Sequence, residues 1–328
     1  MKIYGNIMLT DSFIKGVLEI KDGIIVDFKK GWHRYDVRGT VIPTFINMHT
    51  HLGDFCATEE PPHRLEEAVG PGGYKYRILE NEENVLKGMR RAMRMMEREG
   101  ISHFVDFREG GKRGVELLLS AASKMKIKPI ILGRDDVWEK AHGVSFSCVT
   151  DDDKDKIISL SSKARNLGKM VALHLSERIR EDAKFVVSIK PDFVVHAIET
   201  TDEDLELLKN SGIPVVITPR ANAFFGKLPD VHRLLKHKIT VAIGTDNGMV
   251  AAPSIMREME FLYRISCLNE CLSPETIIKM ATYNPRKILK IEDNRIDGKA
   301  RLIIFRRLLT PYEIVAKATE RDIKTAVF

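Results

Sequence analysis

The chain is predicted to be α/β: a (β/α)8 TIM barrel with a small β-sandwich domain formed by its N- and C-terminal segments. Eight short apolar runs alternate with amphipathic helical patterns, and eight is the number that closes such a barrel. The first 40 residues and the last 33 instead carry β-prone runs broken by turns. A third observation joins these two: polar residues able to carry chemistry fall where the apolar runs end.

In order, residues 1–40 contain KIYGNIML and GVLEIKDGIIVDF, with an Asp22-Gly23 turn between β-prone runs. This unit is too short to own a core, and the terminal GKARLIIF and DIKTAVF are expected to pair with it. That assigns 1–40 plus 296–328 to a composite β-domain and 41–295 to the barrel. Barrel strands are predicted at 41–48, 103–107, 129–133, 144–148, 170–174, 193–197, 214–218 and 240–244. Helices are predicted at 83–99, 112–125, 153–167, 181–188, 202–210, 254–268 and 274–289. A doubly wound sheet is disfavoured because no GxGxxG turn follows the first strand. The connection 55–80, with Pro61, Pro62, Pro71, Gly72 and Gly73, has the length expected of a lid.

Composition narrows the class. The 328 residues are 44% hydrophobic, enough for a large core. No stretch approaches the roughly 18 apolar residues of a membrane span, and the N-terminus lacks a signal-peptide layout, so a cytoplasmic protein is expected. The net charge of +6 comes from 52 basic and 46 acidic residues, interleaved as on solvated helix faces, and no nucleic-acid partner is expected. Glutamine is absent, and Lys, Arg, Glu and Ile are abundant, a bias associated with thermophiles. Cys56, Cys148, Cys267 and Cys271 show no CxxC spacing. No disulfide framework is expected; Cys267 and Cys271 read as core thiols on a helix, and Cys56 lies close enough to His51 in sequence to reach the site.

The first barrel run ends in His49-Thr50-His51. On a strand, residues i and i+2 share a face, and two converging imidazoles are half of a site for zinc or another divalent transition metal. ALHLSE then places His174 and Glu177 at the end of the fifth strand, VVHAIE places His196 at the sixth, TPRAN places Arg220 and Asn222 at the seventh, and VAIGTDNG places Asp246 at the eighth. In a barrel these ends share one rim.

With these motifs in place, the chain resembles the amidohydrolase superfamily, in its aminohydrolase branch of cytosine deaminases, adenosine-type deaminases and chlorotriazine hydrolases. PTFINMHTHLGD is similar to PGFxNxHTH, LHLSE to HxxE, PRAN to PxSN and IGTDNG to GTD, while VVHA looks like the sixth-strand histidine. ATYNPRKIL and GKARLIIF look like the terminal helix and the return to the β-domain. The resemblance implies one divalent metal, zinc before iron or manganese, held by His49, His51, His174 and Asp246. Glu177, His196 and Asp246 would be catalytic: Asp246 and His196 orient a water, Asp246 takes its proton, and Glu177 protonates a ring nitrogen and then the leaving amine. Two-metal members need a bridging anion after the fourth strand; here Ser147-Cys148 stands there. Thr44, Ala221 and Arg301 depart from the pattern, where Gly, Ser and Asp are usual.

Arg108, Arg134 and Arg220, after the second, third and seventh strands, together with Asn222, are the candidate substrate-binding residues. The arginines suit an anionic or strongly polar aminoheterocycle, and pairing with Glu109, Asp135 or Asp136 is the bland alternative. The expected reaction is deamination of a purine-, pyrimidine- or pterin-like small molecule. Hydrolysis of a cyclic amide or imidazolone at the same site, and a non-catalytic metal-binding barrel, are the other readings. A homo-oligomer is compatible with the chain, without a stretch that sets its stoichiometry.

Overall fold

The structure, a computed structural model, describes residues 1–328. Its strands are β1 (Lys2–Met8), β2 (Phe13–Lys21), β3 (Ile24–Lys30), β4 (Val37–Arg38), β5 (Val41–Pro43), β6 (Phe45–His51), β7 (Ile101–Arg108), β8 (Lys128–Gly133), β9 (Gly143–Phe146), β10 (Met170–Leu175), β11 (Phe193–His196), β12 (Val215–Ile217), β13 (Val241–Ile243), β14 (Asp246–Asn247), β15 (Leu302–Phe305) and β16 (Ile323–Ala326). The helices are α1 (Leu65–Val69), α2 (Tyr74–Leu79), α3 (Glu82–Arg98), α4 (Gly111–Ala122), α5 (Lys154–Asn166), α6 (Ala183–Ser188), α7 (Asp202–Asn210), α8 (Pro219–Phe224), α9 (Val231–Lys236), α10 (Ile255–Ser266), α11 (Pro274–Ala281), α12 (Tyr283–Leu289) and α13 (Pro311–Ala316). By contacts the chain divides into two compact units, residues 1–46 with 95–103 and 254–328, and residues 47–94 with 104–253.

The terminal segments form one seven-stranded sheet, β16-β15-β5-β1-β2-β3, with β4 also paired to β1. The hairpins β1–β2 and β2–β3 are antiparallel, and β15 lies antiparallel to both β5 and β16. Ile3, Ile7, Leu18, Ile25, Val41, Leu302 and Ile304 form its buried core. Each such side chain contributes roughly 1.5–3 kcal/mol relative to exposure.

The second sheet has nine strands in the order β13-β12-β11-β10-β9-β8-β7-β6-β14 and is curled. Pairing is parallel from β8 to β13, and β14 lies parallel to β6. The terminal members of this order, β13 and β14, are separated in the chain only by Gly244 and Thr245. β6, β7, β9 and β11 are buried at every position, as parallel strands covered on both faces must be.

The predicted first strand, 41–48, is two strands. Thr44 N–H donates to Arg301 O (2.9 Å), but the next amide, Phe45 N–H, donates to Gly100 O (3.1 Å). The backbone changes partner there, just after Pro43, which has no N–H to give. The predicted helix 274–289 is likewise two helices. Thr282, with φ −128° and ψ −68°, breaks it, because Pro285 cannot donate to the residue four earlier. α8, α9 and α13 lie outside the predicted helices and are each only six residues long. Cys267 and Cys271 are joined by a disulfide, correcting their reading as core thiols. α10 stops at Ser266, and the turn marked by Asn269 N–H to Ser266 O brings the two together.

The residues that depart from the superfamily pattern are accommodated locally. Thr44 is buried, its hydroxyl donating to Ser102 Oγ (2.7 Å) and accepting from Arg286 Nη2 (2.8 Å). Arg301 Nη1 lies 3.6 Å from Asp293 Oδ2. Ala221 is fully buried.

Candidate active site

The end of β6 turns His49 and His51 toward one point. His49 Nε2 lies 3.2 Å from His174 Nε2, at the end of β10, and 3.2 Å from Asp246 Oδ1, at the start of β14. His51 Nε2 lies 3.5 Å from the same Asp246 oxygen. One ligand atom from each of the four falls within 4.8 Å of those of the others.

Local sequence enforces this approach. A Cβ on Gly244 would sit 2.7 Å from His49 Cβ and N, so only glycine lets this chain pass so close to β6. Asn47 then ties the crossing shut, donating to Thr245 Oγ1 (2.8 Å) and accepting from Thr245 N–H (3.1 Å). Asp246 follows with φ +61°, and His196 and Ser176 have φ +75° and +49°. Such left-handed positions cost about 1–3 kcal/mol each and collect at functional sites. Asp106 accepts from Leu52 N–H (2.7 Å) and Thr50 Oγ1 (2.9 Å), which holds the loop after His51.

The donor set fits a divalent metal. His174 Nδ1 faces Phe146 O (3.1 Å), and His51 Nδ1 faces Phe107 O (3.1 Å) and Glu109 Oε1 (2.6 Å). Both Nδ1 atoms therefore carry the proton, leaving Nε2 lone pairs aimed at the common point. Burial holds His49 and His174 below the usual imidazole range, and burial with the nearby Lys75 ammonium takes His51 down to about 3. Burial opposes charge on Asp246, but the hydrogen bond with His49 leads the contributions that outweigh it and hold the carboxyl below its usual range. Neutral imidazoles beside a carboxylate are the protonation states a metal requires. A buried metal-binding site of three histidines and one aspartate is thus present.

Glu177 stands beside this cluster. Its Oε2 is 3.4 Å from His196 Nε2, which in turn is 4.0 Å from Asp246 Oδ2. Asn222 Nδ2 donates to Glu177 Oε1 (3.2 Å) and lies 3.1 Å from His196 Nδ1. Because the carboxylate demands the amide's donor end, His196 Nδ1 accepts, and its proton sits on the buried Nε2 facing Glu177. Burial raises the Glu177 carboxyl above its usual range. Glu181 braces the loop carrying Glu177, accepting from Ser176, Val149 and Thr150 N–H at 2.7, 2.7 and 3.0 Å.

A cavity of about 380 Å³ opens on this centre, lined by His174, Glu177, His196 and Asp246, with Lys75, Glu109, Arg134 and Asn247 beside them and Leu65, Val69 and Tyr76 farther out. Of the predicted substrate-binding residues, only Arg134 lines it. Arg134 Nη1 donates to Ser147 Oγ (2.6 Å), while Asp135 and Asp136 pair instead with Lys156 and Lys163. Arg108 is buried against Glu109 (2.8 Å) and Asp106 (3.4 Å), the pairing alternative, because burial of a guanidinium demands anions around it. Arg220 donates to Ala252 O, and Asn222 is occupied by Glu177, His196 and Thr218. Cys56 Sγ donates to Ile78 O (3.6 Å) and does not line the cavity.

Residues that sequence reasoning missed are Lys75, Asp54, Asn247 and the role of Glu109. Lys75 Nζ lies 2.5 Å from Glu109 Oε1 and donates to Asn247 Oδ1 at 3.1 Å. Burial opposes ionisation of Glu109, but Lys75, His51 and Arg108 outweigh it and hold it well below the usual range. Asp54, by contrast, is pushed up to about 8 by burial. The adjacency of Glu109 to Arg108 was the available signal; Lys75 sits in a connection without periodicity.

The family profile described as "Amidohydrolase family" matches residues 40–295. The chain belongs to the amidohydrolase family. An uncharacterised protein of Methanocaldococcus jannaschii is 36% identical to this amidohydrolase over 85% of the chain and 82% of its own length. A 5-methylthioadenosine/S-adenosylhomocysteine deaminase of Thermococcus sibiricus is 25% identical over 80% and 73%. Among solved structures, guanine deaminase from C. acetobutylicum, with guanine bound, superposes with a TM-score of 0.80 at 14% identity, covering 100% of this chain and 99% of that one. A zinc-bound adenosine deaminase from Xanthomonas campestris gives 0.76 at 15%, covering 99% and 90%. At such identities the likeness speaks for the fold. This amidohydrolase is a hydrolase of carbon–nitrogen bonds other than peptide bonds, with relatives in thermophilic archaea. None of its helices is long and apolar enough to cross a membrane.

Proposed function

We propose that the protein deaminates a purine-, pyrimidine- or pterin-like aminoheterocycle, using one zinc ion per chain held by His49, His51, His174 and Asp246. The observation carrying this reading is Glu177: a carboxyl raised by burial, beside the metal site rather than in it, hydrogen-bonded by Asn222 and lining the cavity. A structural metal site needs no such acid. The deaminase relative and the fold of the guanine and adenosine deaminases support the same reading.

The metal, when bound, lowers the pKa of water from 15.7 toward about 7. Asp246, kept ionised, accepts the proton of the attacking water. His196, with Nε2–H facing the site, donates to the oxygen that adds to the ring. Glu177 enters protonated and gives its proton to the ring nitrogen beside the attacked carbon; as a carboxylate it then takes the proton of the hydroxyl that has added and passes it to the amine as the C–N bond breaks, and the proton held by Asp246 returns to Glu177. Asn222 holds the acid and His196 in register, and Arg134 offers N–H groups to a polar edge of the substrate. The walls Leu65, Val69 and Tyr76 exclude water around the ring.

The same reading takes the curled sheet as a closed (β/α)8 barrel, since β13 and β14 are consecutive pieces of one strand flanked by β12 and β6, and takes 1–40 with 296–328 as a composite β-domain and 41–295 as the barrel. The test is ammonia release by zinc-reconstituted protein against amino-purines, amino-pyrimidines and amino-pterins, free and phosphorylated. Release from any one supports deamination; silence across the panel with zinc retained refutes it in favour of cyclic amide hydrolysis.

A further inference from the structure

Lys75 is carried on α2, within the 57–81 segment that connects the end of β6 to α3, yet it is only 3% exposed and lines the cavity. Its ammonium meets oxygens from three other places in the fold: Glu109 Oε1 after β7 (2.5 Å), Asn247 Oδ1 on β14 (3.1 Å) and Asp54 Oδ2 after β6 (3.9 Å). Glu109 Oε1 is also 2.6 Å from His51 Nδ1. One oxygen atom therefore joins the segment's lysine to the ring whose other nitrogen faces the metal point. Asn247, which also takes Lys75, donates through Nδ2 to Asp246 Oδ1 (3.0 Å). Lys75 thus reaches two metal-site residues by separate routes, each one side chain long.

The segment's other ion pair beyond its own residues, Glu66–Arg178 (3.2 Å), has both side chains more than a third exposed, and exposed pairs contribute little. The Lys75 contacts are buried, where charge pairing is strong and loss of one partner is costly.

We propose that Lys75 is a positioning residue that makes seating of the 57–81 segment and metal retention one coupled event, acting through Glu109 on His51 and through Asn247 on Asp246. A metal that fixes His51 and Asp246 fixes the acceptors of Lys75, and a seated Lys75 fixes those ligands' orientation. Coupling of this kind is reciprocal. The inference rests on the metal-binding site and not on the identity of the ring, so the ammonia-release panel can fail while it stands.

The test uses the full chain and no substrate. Hydrogen–deuterium exchange of amides 65–79 is followed with zinc bound and after chelation, and zinc affinity is measured separately by equilibrium competition with a chelator. In the wild type, zinc slows exchange of this segment at least about fivefold. Lys75→Met abolishes that zinc dependence and weakens zinc binding by a similar factor, and Lys75→Arg, which keeps the charge, restores part of both. Glu109→Gln, nearly equal in volume to the native side chain, keeps the test open if Lys75→Met fails to fold; it cuts the Glu109 route and loses part of the zinc dependence of exchange, the Asn247 route remaining. Full zinc dependence in Lys75→Met or Glu109→Gln overturns the proposal. So does an altered zinc dependence of exchange with the equilibrium zinc affinity unchanged, since reciprocal coupling cannot move one without the other.

Discussion

Two buried charged clusters show what separates a scaffold from a site. Around Arg286 every guanidinium nitrogen meets an oxygen: Nε donates to Asp293 Oδ1 (2.7 Å), Nη1 to Thr44 O and Thr282 O (2.7 and 2.9 Å), and Nη2 to Thr44 Oγ1 (2.8 Å). Around His49 the opposite holds. Nε2 atoms of His49 and His174 face one another at 3.2 Å, and His196 Nε2 and Arg134 Nε are buried without a hydrogen-bond partner. In the first cluster every guanidinium nitrogen is satisfied within the chain, and only Asp293 Oδ2 lacks a hydrogen bond, with Arg301 Nη1 at 3.6 Å. The second concentrates neutral nitrogens and carboxylates on one point, an arrangement whose electrostatics favour a cation there. Burial of charge alone therefore does not mark function; convergence without mutual satisfaction does.

The sharpest way to break this contrast is to remove the metal. Chelation is expected to reduce turnover to background, with recovery on adding zinc back, and to lower Tm; turnover that survives complete metal removal would take the reaction away from His49, His51, His174 and Asp246. Next, Glu177→Gln is expected to retain one zinc per chain and lose at least about a hundredfold in kcat. Unchanged turnover would remove Glu177 from the mechanism.

Arg286→Ala tests the other cluster. It leaves the buried Asp293 carboxylate with only Asn294 Nδ2 (3.1 Å) and Arg301 Nη1 (3.6 Å) and is expected to cost about 3–5 kcal/mol in denaturant unfolding, while kcat per folded molecule stays near that of the wild type. A large loss of kcat at full folding would mean that the Arg286 cluster is no mere scaffold. The smallest effect is expected at Arg134→Ala: about a tenfold rise in KM, the worth of one charge-assisted hydrogen bond, with zinc content unchanged. An unaltered KM would leave Arg134 as a brace for Ser147.

Much of this molecule was legible because its signals are local. The strand predictions at 129–133 and 170–174 lie within one residue of β8 and β10, and 202–210 coincides with α7, because an apolar run or an amphipathic period is written in neighbouring residues. His49, His51, His174 and Asp246 were legible for the same reason: each stands within three residues of an apolar run, and a strand end positions the residues that terminate it. The break at Thr44 was not, since 41–48 is continuously apolar apart from Thr44 and Asn47, and only the exchange of backbone partners at Arg301 and Gly100 divides it.

By itself, then, the sequence determined the alternation of strand and helix, the ends of the strands, and which residues arrive there as candidate ligands and acid. Tertiary structure alone decided how those polar groups are served. Arg108 turned to Asp106 and Glu109, Asn222 was taken by Glu177 and His196, and Lys75 was brought from a connection without periodicity to within 2.5 Å of Glu109. The physical reason is that backbone periodicity acts between near neighbours, whereas a buried charge is satisfied by whichever opposite charge or polar oxygen the fold places beside it, here across as many as 172 positions of sequence between Lys75 and Asn247.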